Sequence, residues 1–315
     1  MGSADPDERI AMVFAIRDLA ISAGVLPSSK AEDAANCAPI AHSGAGTITE
    51  ARSFVRRLPT PRFAGSRIPR LIHRTWKVSD PLQFPEDVRS SVASFQARNE
   101  AVLQLVWSDQ ACAEFVDAYY PSAATEFRAL PHPVLRADLF RYMVLNIFGG
   151  VYSDIDTTLL RAVDDWVSSD LDPDNPVSLI IGIEADADMS DWNRWYARRL
   201  QWCQWTIAAA AGHPVLRYVI DESLRRIRLA EESSVMELTG PGVWTDSVNR
   251  WLEQDQGRGW SEFLGLKNAV CVGDAAILTI TAFSPGVGHM GSEPASSSRA
   301  LVEHGFMGSW KPSCG

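Results

Sequence analysis

Residues 131–156 constrain the fold more tightly than any other stretch. Pro131 and Pro133 precede residues 134–148, which are mostly apolar, and Gly149-Gly150 stops them. Prolines before and glycines after are helix start and stop signals, and a helix this apolar has to be buried. Beyond the glycines runs Val151-Tyr152-Ser153-Asp154-Ile155-Asp156-Thr157-Thr158, with two carboxylates one residue apart. Alternation along a strand predicts both acids on the same side of the sheet. Carboxylates that close repel and raise each other's pKa unless a cation sits between them. Hard ions such as Mg²⁺ and Mn²⁺ take oxygen ligands and often bridge to phosphates. The pattern suggests a metal that holds a phosphorylated ligand, with two solvated acids at a strand end as the plainer alternative.

The rest of the chain supplies a sheet. Leu71-Ile72-His73 reads as a short strand ending in Arg74-Thr75-Trp76, followed by a helix over about 87–99, the strand Leu103-Gln104-Leu105-Val106-Trp107 and a helix near 109–119. This β-α-β-α rhythm predicts an α/β fold with a parallel sheet of Rossmann-like units. Residues 177–183 form a further buried strand, residues 194–211 and 213–229 look helical, and Ala276-Ile277-Leu278-Thr279-Ile280 is a late strand before a Gly/Ser-rich loop at 284–298. Ligands of open α/β sheets bind at the carboxyl ends of the strands, where this reading puts Trp76, Asp109, Asp154, Asp156 and Glu184. Residues 27–66 are rich in Ala, Ser, Pro and Gly without periodicity. The expected division is a helix and stem over 1–66 and a catalytic domain over 67–315.

Charge narrows the function. The net charge of -10 argues against a general nucleic-acid binder. Residues 1–66 carry seven acidic and seven basic side chains, so the whole acidic excess lies in 67–315. Such a body needs a metal or local Arg and Lys to hold an anionic phosphate. Residues 10–26 are apolar but broken by Arg17-Asp18 and too short to span a bilayer, so they read as an amphipathic helix. No signal-peptide pattern or N-glycosylation sequon is present. Five cysteines without a C-x-x-C exclude a zinc ribbon and leave the redox compartment open.

Several residues could complete a site around the acid pair. Asp138 and Arg141 stand i, i+3 on the apolar helix, where buried charges need partners; a sugar's hydroxyls would serve, as would a simple ion pair. Trp76 can stack a base or cap the core. His304, just before Gly305-Phe306-Met307-Gly308-Ser309-Trp310, can complete a carboxylate metal site, and His289 is a weaker candidate. Trp192, Trp195, Trp202 and Trp205 form a dense aromatic group whose helical spacing favours core packing for most of them. Thr239-Gly240-Pro241-Gly242 is a tight-turn signal where a backbone can approach a ligand closely.

Taken together, Ile68-Pro69-Arg70-Leu71-Ile72-His73-Arg74-Thr75-Trp76, Arg136-Ala137-Asp138-Leu139-Phe140-Arg141-Tyr142 and Gly149-Gly150-Val151-Tyr152-Ser153-Asp154-Ile155-Asp156 resemble the D-x-D glycosyltransferases of family 32. Gly182-Ile183-Glu184-Ala185-Asp186, Trp195-Tyr196-Ala197-Arg198-Arg199 and Glu237-Leu238-Thr239-Gly240-Pro241-Gly242-Val243-Trp244-Thr245-Asp246 bring the chain nearer the fungal initiation-specific α-1,6-mannosyltransferases in that family. The resemblance covers roughly residues 68–312. It implies a GT-A fold, a Rossmann-like mixed sheet flanked by helices, with a GDP-mannose donor, an N-glycan oligomannose acceptor and a divalent ion, usually Mn²⁺ with Mg²⁺ as the alternative. It also implies a type II membrane enzyme of the Golgi lumen, held by an N-terminal anchor.

Carried over residue by residue, Trp76 would meet the guanine, and Asp138 and Arg141 the donor sugar. Asp154 would contact ribose or sugar and water-bridge the metal. Asp156 would ligate the metal directly, His304 would be its third protein ligand, and Ser309 and Trp310 would lie near the diphosphate. Two departures stand out: the anchor is absent from this chain, and Gly305 stands where the terminal block commonly has a second His.

The implied reaction retains anomeric configuration, through a nucleophile below the ring or same-face attack. Glu184 is the candidate to stabilise the oxocarbenium-like centre or orient the acceptor, with Asp186 and Asp246 behind it. Two other classes compete. Asp154-Ile155-Asp156-Thr157-Thr158 also mimics the nucleophile loop of haloacid-dehalogenase-type phosphatases, in which Asp154 would attack phosphorus and Asp156 act as acid/base. A non-catalytic glycan-binding protein would use the tryptophans alone.

Overall fold

The computed structural model describes residues 42–57, 60–99, 101–167, 176–229 and 234–308. The chain divides into two compact units, residues 1–40 and 41–315, and all the described residues lie in the second. The amphipathic helix expected over residues 10–26 lies outside the described residues, as do Ser309 and Trp310.

The first half of the body comprises β1 (His42–Ala45), α1 (Ile48–Val55), β2 (Leu71–Thr75), α2 (Glu86–Arg98), β3 (Leu103–Trp107), α3 (Asp109–Tyr119), α4 (Ala124–Ala129) and α5 (Pro133–Phe148). Then follow β4 (Gly150–Ser153), β5 (Thr157–Leu159), β6 (Leu179–Asp186), β7 (Leu200–Trp202) and β8 (Thr206–Ala209). The last part holds α6 (Pro214–Leu229), α7 (Val235–Leu238), α8 (Pro241–Gln256), β9 (Val270–Val272), β10 (Ala275–Leu278), α9 (Ile280–Phe283) and β11 (Val302–His304).

Nine strands make one sheet in the order β1-β3-β2-β4-β8-β6-β10-β9, with β7 pairing along β6. Strands β1, β3, β2 and β4 are parallel, β8 is antiparallel to both β4 and β6, and β10 is parallel to β6. β4 and β6 therefore run in the same direction, and their carboxyl ends share one edge of the sheet. A separate antiparallel pair, β5 with β11, lies at the end of β4. This is the Rossmann-like mixed sheet that the resemblance implies, and the β-α-β-α rhythm accounts for its parallel strands β2 and β3. No described helix is long and apolar enough to cross a membrane.

Helix α5 and the corner after it place the acids. Pro133 stands in its first turn, and Leu139, Phe140, Tyr142, Met143, Val144 and Leu145 are fully buried. Gly149 and Gly150 take φ of 64° and 109°, and a Cβ on Gly150 would sit 2.3 Å from the Leu71 carbonyl oxygen. Only glycine fits a positive φ that brings two backbones so close. His73 fastens the corner from β2: its Nε2–H donates to the Gly149 carbonyl (3.0 Å), while its Nδ1 accepts from the Trp107 indole (3.1 Å). Burial pulls His73 down to about 4, partly opposed by the bond to Gly149, so the ring is neutral.

Three expectations change. Residues 42–66 are not all stem: β1 pairs with β3, Gly46 donates to the Val106 carbonyl, and Ser66 bridges to Val177. Their Ala, Ser and Gly content suits a thin edge strand and tight corners as well as a linker. Residues 194–211 are not helical but form the turn Trp192–Arg194 and strands β7 and β8. The run Ala208-Ala209-Ala210-Ala211 favours a helix by intrinsic propensity, yet β8 is wedged between β4 and β6 with all four residues buried. Trp202 and Trp205 are core residues, whereas Trp195 is 68% exposed.

Candidate active site

Asp154 and Asp156 converge by a mechanism other than strand alternation. β4 ends at Ser153, and residues 154–156 form a tight turn into β5. Thr157 closes the turn, with its N–H (3.1 Å) and hydroxyl (2.6 Å) both donating to the Asp154 carbonyl. Ile155 drives the turn inward, packing with Phe84, Val88, Val92 and Val106, so the flanking acids are turned out of the core.

Arg74 supports the turn from beneath. It has no exposed surface, and its Nη2 lies 2.7–3.1 Å from the carbonyls of Asp154 and Thr157 and the hydroxyls of Thr157 and Ser91. The guanidinium lies 4.6 Å from the Phe95 ring centroid. Burial pulls Arg74 down to about 9 against the opposing pull of Asp154 and Asp156, so it remains cationic at neutral pH. Sequence reasoning missed this role. The available signal was an arginine inside a strand otherwise made of core residues.

The β5–β11 ladder pairs Thr157 with His304. Gly305 N–H donates to the Asp156 carbonyl (2.7 Å), and Met307 N–H to Asp156 Oδ2 (3.0 Å). A Cβ at Gly305 would meet the Asp156 carbonyl oxygen at 2.9 Å, so the glycine lets this strap close on the turn. His304 Nε2 lies 3.3 Å from Asp156 Oδ1 and 3.8 Å from Asp154 Oδ2. Its ring is flanked by Trp205 and Phe306, with centroids at 4.8 and 4.2 Å.

One ligand atom from each of Asp154, Asp156 and His304 lies within 4.8 Å of the others. Two carboxylate oxygens and an imidazole nitrogen suit a borderline divalent ion. Burial works against charge on His304, but the two acids raise it to about 9; burial likewise opposes ionisation of Asp156, yet bonds from His304 and Met307 N–H hold it below the usual carboxylate range. At neutral pH the ion-free imidazole thus carries a proton that a metal must displace. Mn²⁺ affinity should therefore rise with pH between 6 and 8, by up to about tenfold per unit, with about one proton released per ion. Calorimetry in buffers of different ionisation enthalpy reads this directly, and binding without proton release would remove His304 from the ligand set.

Arg141 joins α5 to the turn. Its Nη1 lies 2.7 Å from Asp138 Oδ1 and its Nη2 2.8 Å from Asp154 Oδ1, with Asp138 and Arg141 only 2% and 3% exposed. Burial pushes Asp138 up to about 7 against the pull of Arg141, and Thr239 donates to its Oδ2 (3.3 Å). The tight-turn signal at 239–242 thus becomes the start of α8, with Thr239 facing Asp138 rather than open space. Trp76 is half-buried at the end of β2, packed against the cluster that receives Ile155.

Glu184 sits where the β6–β7 pairing shifts register between Ile183 and Ala185, an irregularity that re-aims a side chain. Its Oε2 has no exposed surface and no hydrogen-bond partner among the described residues. Burial pushes Glu184 up to about 7, against a hydrogen bond with Gln201 and the charges of His304 and Arg141. The acids expected behind it are engaged elsewhere. Asp186 accepts from Gly265 N–H and lines a small cavity with Lys267 and Arg299. Asp246 is held by both Arg198 (2.7 Å) and Arg226 (2.8 Å), which also bind Glu237. Asp246, engaged by two arginines, thus differs from Glu184, whose Oε2 has no partner among the described residues. His289 is exposed in its loop and is not part of the metal-type cluster.

A mixed α/β sheet with a D-x-D turn and a histidine at its ligand edge suits a glycosyltransferase. The family described as "Glycosyltransferase sugar-binding region containing DXD motif" matches residues 85–172. The initiation-specific alpha-1,6-mannosyltransferase of Schizosaccharomyces pombe is 42% identical, over 78% of this chain and 64% of its own length. That of Candida albicans is 35% identical, over 77% of this chain and 72% of its own length. The chain thus spans just under two thirds of the first relative and rather more of the second. A solved structure, the PaToxG glycosyltransferase, aligns at 17% identity with a TM-score of 0.38, covering 60% of this chain and 70% of that one.

This chain belongs to the DXD-motif glycosyltransferase family. Membership sets aside the phosphatase reading. Asp154, the nucleophile that reading requires, is paired with Arg141.

Proposed function

We propose that this chain transfers mannose from GDP-mannose to a mannose hydroxyl of an N-glycan core in the Golgi lumen, forming an α-1,6 linkage with retention. The observation that carries the metal-dependent donor site is the convergence of Asp154, Asp156 and His304 at the sheet's ligand edge. The mannosyl and α-1,6 assignments follow from relatives that bear that activity in their names.

In this reading Asp156 and His304 hold the ion, Mn²⁺ rather than Mg²⁺ because one ligand is an imidazole. When bound, the ion supplies Lewis-acid stabilisation for a departing diphosphate. Asp154, already fixed through Oδ1 by Arg141, is left with Oδ2 toward His304 and serves the ribose or sugar more than the ion. Asp138 and Arg141 hold it in register while forming the floor beneath the donor sugar. Trp76, half-buried beside the end of β2, is read as the base-stacking ring, and the family resemblance assigns Ser309 and Trp310 to the diphosphate. Glu184 is poised near neutrality for the anomeric centre, able to offer an anion or a proton.

A thermal-shift panel of GDP, UDP and GDP-mannose, each with Mn²⁺ or EDTA, tests the donor assignment. At a hundredfold excess over Kd the stabilisation is about 2.7 kcal/mol, or roughly 5–10 °C for a body of this size. GDP and GDP-mannose should shift the midpoint only with Mn²⁺. Selective stabilisation by UDP would overturn the mannosyl donor.

A further inference from the structure

The hairpin that carries Glu184 also carries an aromatic side chain with no part in the donor site. Residues 188–198 connect β6 to β7 at the carboxyl end of β6, the same edge that bears the D-x-D turn. Within them Trp195 is 68% exposed, the most exposed aromatic among the described residues. A large ring on a fixed loop offers a ligand a rigid contact face. This loop is held at every turn. Trp195 and Tyr196 N–H groups both donate to the Trp192 carbonyl (3.0 Å), and Ala187 N–H donates to the Arg199 carbonyl (3.0 Å). Gln201, only 1% exposed, accepts from the N–H groups of Ala197 (2.9 Å) and Arg198 (3.3 Å). Arg198 then pairs bidentately with Asp246 (both 2.7 Å) and with Glu237 (2.9 and 3.0 Å). The charge cluster that holds Asp246 is therefore the foundation of this loop.

The same Gln201 links the loop to the strand of Glu184, pairing with Ala185 across the β6–β7 ladder, one residue along from Glu184. Tyr196, next to Trp195, lies within the electrostatic reach of that carboxylate. Asp191 and Arg194, both largely exposed, belong to the same short turn and lie 3.7 Å apart. An aromatic face with a carboxylate and a guanidinium in the same turn suits a ligand that is flat and apolar on one side and rich in hydroxyls around its edge. A pyranose ring has that form, and a rigid indole adds contact area at little entropic cost.

We propose that Trp195 is the stacking platform for a mannopyranosyl residue of the acceptor glycan, with Asp191 and Arg194 bonding its hydroxyls and Arg198 positioning the loop. This rests on the mannosyl-transfer reading but is testable without the donor. Calorimetric titration with a high-mannose N-glycan oligosaccharide, in the absence of nucleotide, should give a Kd that rises about tenfold or more in Trp195→Ala. Trp195→Phe, which keeps an aromatic face, should recover most of the affinity. Leu82→Ala, at an exposed apolar side chain in a short turn after β2, should leave it unchanged. In transfer assays the Trp195→Ala defect should fall on the acceptor KM more than on kcat. Unchanged glycan affinity in Trp195→Ala overturns the proposal, as does Trp195-dependent capture of lipid vesicles without glycan binding. Failure of the Mn²⁺·GDP thermal shift with Trp195-dependent glycan binding intact would instead sink the donor reading and leave the platform standing.

Discussion

Asp156→Asn is expected to cut transfer by on the order of 10³-fold or more, about 4 kcal/mol of transition-state stabilisation, while hardly moving the thermal midpoint. The two effects separate because of how the side chain is used. Asp156 Oδ2 accepts the Met307 N–H that holds the C-terminal strap, and an amide oxygen can keep that bond. Oδ1 faces His304 at 3.3 Å, where the amide brings no negative charge to a cation. In the ion-free protein the substitution loses the attraction to His304, while the backbone bonds that close the turn and the strap remain. The Mn²⁺-dependent shift with GDP should disappear with the activity, and high Mn²⁺ should restore part of both. Near-normal transfer by Asp156→Asn would refute the metal assignment.

Arg74→Met should be the most destabilising single change near the site. Methionine retains the stem packed beneath Phe95 but removes the guanidinium bonds to the carbonyls of Asp154 and Thr157 and to the hydroxyls of Thr157 and Ser91, leaving the turn only its own bonds from Thr157 and Ser91. Breaking a buried charged network costs about 3–5 kcal/mol, roughly 6–20 °C in midpoint for a body of this size. The loosened turn should also weaken Mn²⁺ binding by about tenfold or more. Arg74→Lys keeps the charge but not the fork, so it should fall between the two. A midpoint within about 2 °C of the parent would show that the turn holds itself.

Local signals were most legible where one element carried the whole reason for its shape. Helix α5, its proline entry and its glycine corner follow from residues 131–150, and strands β2 and β3 from short apolar runs. The candidate ligands Asp156 and His304 were recognisable as residue types in a pattern. Residues 194–211 misled because alanine's preference for helices is weak, and confinement between β4 and β6 overrides it. The partners of Asp246 were hidden for a related reason. Its place in a motif says nothing of Arg198 and Arg226, which reach it from elsewhere in the chain.

By itself the sequence determined the α/β class, the buried helix that leads into the acid pair, the family, and which side chains have the chemistry to bind an ion. Those are properties of neighbouring residues: periodicity, breakers and ligand types act over a few positions. Only the tertiary structure decided that the acids meet through a turn rather than along a strand, that Arg74 and Arg141 hold that turn, and that Asp246 is engaged by Arg198 and Arg226. Each of these depends on partners distant in the chain, and burial sets the charge of Glu184, Asp138 and His304 by what surrounds them. A carboxylate's identity is local, but its proton, its partner and its direction belong to the fold.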